Sequence, residues 1–185
     1  TSEVLALTKR TFGEKHFYYL STLEQLSNIF LSQGENRLAE QVLLKVSRII
    51  KGIHQEQSIE YANIHVSLGD FYNEINIPSK TNSYYNKALN IYKLLLNTNH
   101  QDYLNLLQKL SKYYADVQDF SRAEILYLEL IEIQKENLGV GSRDFNFLLI
   151  EIGNFYFKNK NYTKAIHYTQ MILENQENSD RKSKF

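Results

Sequence analysis

The chain has 185 residues, 43% of them apolar, with 21 basic residues against 21 acidic and no cysteine. That length fits one domain or one stretch of a repeat array, with apolar residues enough for a sizeable core. Balanced charge without a run of like sign argues against phosphate-backbone binding. The lack of Cys excludes disulfides, thiolate zinc sites and Cys nucleophiles, and no apolar window is long enough to span a membrane.

One Pro and seven Gly make long helices the default expectation. Residues 1–17 read as the second helix of a unit followed by a linker, so an array extending before Thr1 is expected. The linker is "FGEKH" (12–16). Gly13 suits the end of one helix and His16 the start of the next, as a cap or a packing group between units.

From there a pattern recurs. "LSNIF" at Leu26, "LGDFY" at Leu68, "LSKYY" at Leu110 and "IGNFY" at Ile152 are spaced 42 residues apart each time. Small residues (Ser27, Gly69, Ser111, Gly153) follow the leading apolar residue, and Phe30, Tyr72, Tyr114 and Tyr156 close the segment. The register continues through Ala39, Thr81, Ala123 and Ala165, then Leu43, Tyr85, Tyr127 and Thr169, then Val46, Ala88, Leu130 and Ile172. Steps of three and four place these on one helical face. Each unit therefore reads as two amphipathic helices.

The units are 18–59, 60–101, 102–143 and 144–176. In the second, Pro78 suits the start of a helix, where its missing N–H costs nothing. In the third, helices are predicted over 102–117 and 120–137, with Asp119 as N-cap. Asn161 is the matching cap one period later, which is the structural reading of the glycosylation-like "NYT" at 161–163. The final "ENSDRKSKF" (177–185) reads as a polar tail.

The order of apolar–small pair, aromatic, turn, Ala and bulky residue in Leu110–Ser111, Tyr114, Gln118–Asp119, Ala123, Tyr127 and Leu130 resembles the tetratricopeptide repeat (TPR). A period of 42 is similar to the longer repeat of kinesin light chains. Their inter-repeat Leu-Gly…His signature has counterparts in "FGEKH", "LNTNH" (96–100) and "LGVGS" (138–142), and is lost in "HQEQS" (54–58). The resemblance implies an all-α fold, a right-handed superhelical solenoid of antiparallel helix pairs.

It also implies a function: a non-enzymatic scaffold or adaptor whose first helices line a groove. The groove positions are Glu24, Val66, Gln108 and Ile150, and four residues on, Asn28, Asp70, Lys112 and Asn154. An amphipathic helix or a peptide segment with apolar anchors would suit it. Phe157 joins Val66 and Ile150 as an expected apolar surface. Chaperone-binding members clamp a carboxylate with Lys, Asn and Arg at such positions. Here Glu24 and Val66 replace the Lys and Asp70 would repel, so that reading is rejected. Kinesin light chains carry paired Asn before the apolar–small pair; Glu24-Gln25, Val66-Ser67, Gln108-Lys109 and Ile150-Glu151 stand there instead.

No cofactor, metal site, catalytic residue, nucleic-acid partner or membrane contact is expected. None of His16, His54, His65, His100 and His167 pairs with another one helical turn away. Ser142-Arg143-Asp144 lies at a turn, where Ser and Asp are caps. The expected setting is a larger assembly in the cytoplasm, of cytoskeletal, motor or ciliary type. The alternatives are a peptide-sensing regulator with an effector domain outside this segment, and an enzyme subunit whose repeats position substrate.

Overall fold

A computed structural model of the protein describes residues 2–139 and 142–182. Val140 and Gly141, part of the third linker signature, lie outside them. Among the described residues there are nine helices and no strand: α1 (Ser2–Phe12), α2 (Phe17–Ser32), α3 (Asn36–His54), α4 (Ile59–Glu74), α5 (Pro78–Leu95), α6 (Gln101–Asp116), α7 (Phe120–Leu138), α8 (Arg143–Lys158) and α9 (Tyr162–Lys182). The expected helices over 102–117 and 120–137 are α6, displaced by one residue, and α7, one residue longer. Helix α9 runs on through 177–182, where the sequence suggested a polar tail.

The chain forms two compact units, Thr1–Asn97 and Thr98–Phe185. In the N-terminal unit each of α1 to α5 packs on its sequence neighbour, and in the C-terminal unit each of α6 to α9 does. Both units are stacks of antiparallel helix pairs, the arrangement that a three-residue turn between helices enforces.

Those turns share one construction. The carbonyls of Phe30, Tyr72, Tyr114 and Tyr156 accept from the amides of Glu35, Ile77, Asp119 and Asn161 at 2.8–2.9 Å. The residue before each of these donors is left-handed: Gly34 (φ 76°), Asn76 (φ 55°), Gln118 (φ 61°) and Lys160 (φ 58°). This is the Schellman ending, which satisfies orphan helix carbonyls. The donor then opens the next helix, and Asp119 and Asn161 also accept from Arg122 and Lys164 amides at 3.2 Å. Gly34 meets the backbone requirement without strain, whereas a side chain with a Cβ there costs energy. Gln118→Gly or Lys160→Gly is therefore expected to stabilise the protein by about 1 kcal/mol, read as a raised urea midpoint.

The longer turns between repeats are capped too. The helix before "FGEKH" ends at Gly13 (φ 86°), and His16 Nδ1 accepts from the Tyr18 amide at 3.2 Å. His100 does the same for Asp102, also at 3.2 Å. Ser58 and Ser142 take this role for Tyr61 and Phe145. "FGEKH" is a turn, and its histidine is a helix cap.

Helices within each unit are fastened by a recurring staple. In the N-terminal unit Tyr72 donates its hydroxyl to Glu40 on α3, and Lys80 reaches the same oxygen at 3.0 Å. In the C-terminal unit Tyr156 donates to Glu124 on α7 at 2.7 Å, and Lys164 joins it. These donors hold the Glu40 and Glu124 carboxyls below the ordinary carboxylate range. The cations also lie over the closing aromatics, with Lys80 4.4 Å from the Tyr72 ring centre and Arg122 4.5 Å from that of Tyr114. The staple is thus a cross-helix contact in which the closing aromatic both fills volume and carries a polar link.

Candidate functional site: paired clefts between first helices

One cleft recurs at the same repeat positions in the two units. In the N-terminal unit it lies between α2 and α4, with a volume of about 250 Å³. Beside the buried Ser27, its polar lining is Asn28, Ser67, Asp70 and Glu74, and its apolar lining is Leu31, Leu43 and Phe71. In the C-terminal unit it lies between α6 and α8, at about 300 Å³. Lys112, Glu151, Asn154 and Lys158 replace the four polar groups, and Ala115, Tyr127 and Phe155 replace the apolar ones. Asp116 and Phe120 complete the lining.

The geometry is conserved and the charge is not. Asp70 and Glu74 make the first lining anionic, with no Lys or Arg in it. In the second lining Lys112 and Lys158 balance Asp116 and Glu151. Asp70 is fixed: it accepts from the Tyr85 hydroxyl on α5 at 2.6 Å. Lys112 is paired with Glu151 Oε1 at 2.7 Å, a contact that is ionic rather than an aligned hydrogen bond. Lys158 is exposed and has no ion-pair partner among the described residues.

A polar bridge also links neighbouring first helices at one repeat position. In the N-terminal unit Glu24 on α2 accepts from Ser67 on α4 at 3.2 Å. Burial pushes the Glu24 carboxyl above its ordinary value, against the lowering effect of Ser67. In the C-terminal unit the roles are reversed, and Gln108 on α6 donates to Glu151 on α8.

Of the residues expected in a groove, Asn28 and Asp70 line one cleft, and Lys112 and Asn154 line the other. Glu24 stands in the bridge, and Gln108 in the other bridge as well as at the edge of a larger hollow of its unit. Val66 is half-buried and lines neither cleft. Ile150 and Phe157 are exposed, at 44% and 62%, outside the clefts. Sequence reasoning missed Glu74 and Lys158. Both lie four residues beyond Asp70 and Asn154, so extending the same helical face by one turn finds them. Phe71 and Phe155 were missed because an aromatic beside the closing Tyr reads as core.

Among the described residues, no group of three or more His, Cys, Asp or Glu could hold a metal ion. No helix there is long and apolar enough to cross a membrane.

No family model matches the chain, and no curated protein does. Solved structures do. A Podosopora anserina protein described as a kinesin light chain with nearly identical TPR-like repeats superposes with a TM-score of 0.79, at 17% identity, over 97% of this chain and 85% of that one. BtubC from P. vanneervenii gives 0.72, at 16% identity, over 88% of this chain and 65% of that one. A Rap protein complexed with competence and sporulation factor gives 0.59, at 12% identity, over 96% of this chain and 57% of that one.

Proposed function

Because the chain has the fold of TPR-like repeat proteins, we propose that it is a non-enzymatic protein-interaction module whose two clefts hold a peptide segment of a partner. The observation that carries this reading is the cleft itself, built twice on one geometry with different charges, anionic in the N-terminal unit and balanced in the C-terminal one. The first lining carries the carboxylates of Asp70 and Glu74 and no Lys or Arg. Such a cleft, walled by Phe71 and the two leucines, suits a Lys or Arg side chain of the ligand, its stem on the apolar wall and its charge at the carboxylates. The second cleft suits an acidic or amide side chain, received by Lys158 and Asn154. Asn28 and Asn154 can each give and take a hydrogen bond with a ligand main chain.

The test is selection of peptides by display against the protein, then affinity measurement on the selected peptides. Enrichment of a basic residue is expected. Lys112→Glu frees Glu151 from its ion pair and adds a carboxylate, so it should weaken acidic peptides about tenfold or more with the thermal midpoint nearly unchanged. Asp70→Lys should weaken basic peptides by a similar factor, with some loss of stability because the Tyr85 hydroxyl loses its acceptor. Equal loss of all peptides in both variants, alongside equal loss of stability, would place binding elsewhere.

The setting proposed is a larger cytoplasmic assembly of cytoskeletal, motor or ciliary type, which the kinesin-light-chain likeness favours. The Rap likeness favours a second reading, a sensor that reports a bound peptide to an effector domain elsewhere in its chain. A full-length sequence with no such domain removes that reading.

A further inference from the structure

The last helix pair of the C-terminal unit presents large apolar side chains to solvent. Phe147, Ile150 and Phe157 come from α8, and Ile166 and Leu173 from α9, each 44–62% exposed. Repeat register tells where they point. One period earlier the same positions hold Asn105, Gln108, Ala115, Glu124 and Ile131. Four of those face α8: Asn105 and Ala115 line hollows shared with it, Gln108 donates to Glu151, and Glu124 accepts from Tyr156. The fifth, Ile131, is buried. The apolar face is therefore the seat that a neighbouring helix takes in the preceding pair.

Its chemistry is not that of the inner seats. Within each unit the seat offers a carboxylate, Glu40 or Glu124, to the hydroxyl of an incoming Tyr72 or Tyr156. Ile166 stands at that position in α9. A further unit with a closing Tyr would bury its hydroxyl there without an acceptor, which costs stability. Asn105 and Gln108 have likewise given way to Phe147 and Ile150. A contiguous apolar face of this kind marks an interaction surface, and this one asks for an apolar occupant.

We propose that the occupant is a second copy of this chain, in a two-fold dimer that seats each α8 on the partner's α9. The proposal goes beyond the peptide reading and stands without it. Two contacts within the pair fix the heights of its antiparallel helices: Asn175 donates to Asn146 at 2.9 Å, and the Tyr156 and Tyr168 rings stack at 5.5 Å. Phe147 is thus level with Leu173 and Glu174, and Phe157 with Ile166. A two-fold axis running along the pair keeps those heights in the partner and makes the same contacts twice. Phe147 and Ile150 then meet the partner's Leu173, and Phe157 meets the partner's Ile166. The rim charges agree. The Arg143 guanidinium lies 5.5 Å from the Phe147 ring centre, hence at the height of the partner's Glu174. Arg143 and Glu174 are both exposed, and neither has an ion-pair partner among the described residues. The five apolar side chains alone offer about 500 Å², more than half of the roughly 800 Å² per partner that a stable interface buries. Tyr162 and the rim add to it.

The test is analytical ultracentrifugation of the whole chain from micromolar to millimolar concentration. A reversible equilibrium that stops at the dimer is expected. Ile150→Glu and Phe157→Glu alter exposed residues outside the clefts, so each should weaken the dimer about tenfold or more with the thermal midpoint of the dilute monomer held. Phe17→Glu, at the most exposed apolar residue of the N-terminal unit, should leave it unchanged. Arg143→Glu and Glu174→Arg should each weaken the dimer by about fivefold, and the two together should restore it. A monomer throughout, association that continues past two copies, or equal loss with Phe17→Glu would overturn the proposal. So would charge reversals without effect, or a combined variant no better than either single one. A dimer indifferent to Ile150→Glu and Phe157→Glu would place self-association on another face and overturn it too.

Discussion

Gly69→Ala should destabilise the protein by about 2 kcal/mol, and Gly153→Ala at the same repeat position should stabilise it by about 1 kcal/mol. Both glycines lie inside a first helix, where Gly costs stability relative to Ala. They differ in what faces them. A Cβ on Gly69 would lie no farther than 3.0 Å from three ring carbons of Tyr85. That ring cannot swing aside cheaply, because its hydroxyl is tied to Asp70 at 2.6 Å and the residue is 3% exposed. At Gly153 the nearest atoms to an added Cβ are 3.9 Å away, in ordinary contact. The residue opposite is Thr169, which holds the repeat position of Tyr85. Urea unfolding of both variants reads the two signs. A shared sign would mean that the α4–α5 approach is looser than described. Displacing Tyr85 also loosens Asp70, so Gly69→Ala should weaken basic peptides as well.

His65→Leu should raise stability and flatten its dependence on pH between about 6.5 and 5. His65 is 3% exposed and packs against Tyr61 at 4.3 Å and Tyr84 at 5.4 Å between ring centres. Its Nδ1 is buried with no hydrogen-bond partner among the described residues. Its repeat position holds Leu23, Leu107 and Leu149 elsewhere, all buried. Burial, with the Lys87 charge adding to it and Glu56 opposing, lowers the imidazole from its ordinary 6.5 to about 4. The folded state thus keeps the ring neutral while the unfolded chain binds a proton below 6.5. Stability from this group is complete above 6.5 and falls as pH drops towards 4. At pH 5 the loss is about 1–2 kcal/mol after allowance for solvent screening. Glu40 and Glu124, whose pKa values are lowered, lose their contribution only at more acidic pH, and Glu24, raised by burial, acts with the opposite sign, so the difference between the His65→Leu variant and the parent is what reports His65. A variant whose midpoint falls between pH 7 and 5 as steeply as the parent would contradict this.

The repeat was legible because 42-residue spacing repeats the same residue classes at each packing position. Helix caps were legible for the same reason: Asp119, Asn161, Pro78 and the linker histidines have the chemistry their places require. The left-handed residues were not. Gly34, Asn76, Gln118 and Lys160 share a backbone conformation and no side-chain property. His65 stands out once its column is read as Leu, but only packing shows the cost. In the clefts, helical period and repeat register together located Asn28, Asp70, Lys112 and Asn154. The ion pair of Lys112 with Glu151 joins two helices 39 residues apart in sequence, and no local pattern encodes it. The larger hollow of the C-terminal unit gathers residues from Asn99 to Leu148 that form no motif. It becomes visible only when three helices bring them together.

Charge-reversal rescue tests the central claim most directly. A display-selected peptide with one basic residue is measured by calorimetry against the parent protein and against Asp70→Lys, then again with that residue changed to Glu. If the first cleft receives that side chain, the parent binds the basic peptide, the variant loses it by tenfold or more, and the variant binds the acidic peptide better than the parent does. If both proteins rank the two peptides alike, the cleft between α2 and α4 is not where the partner is read.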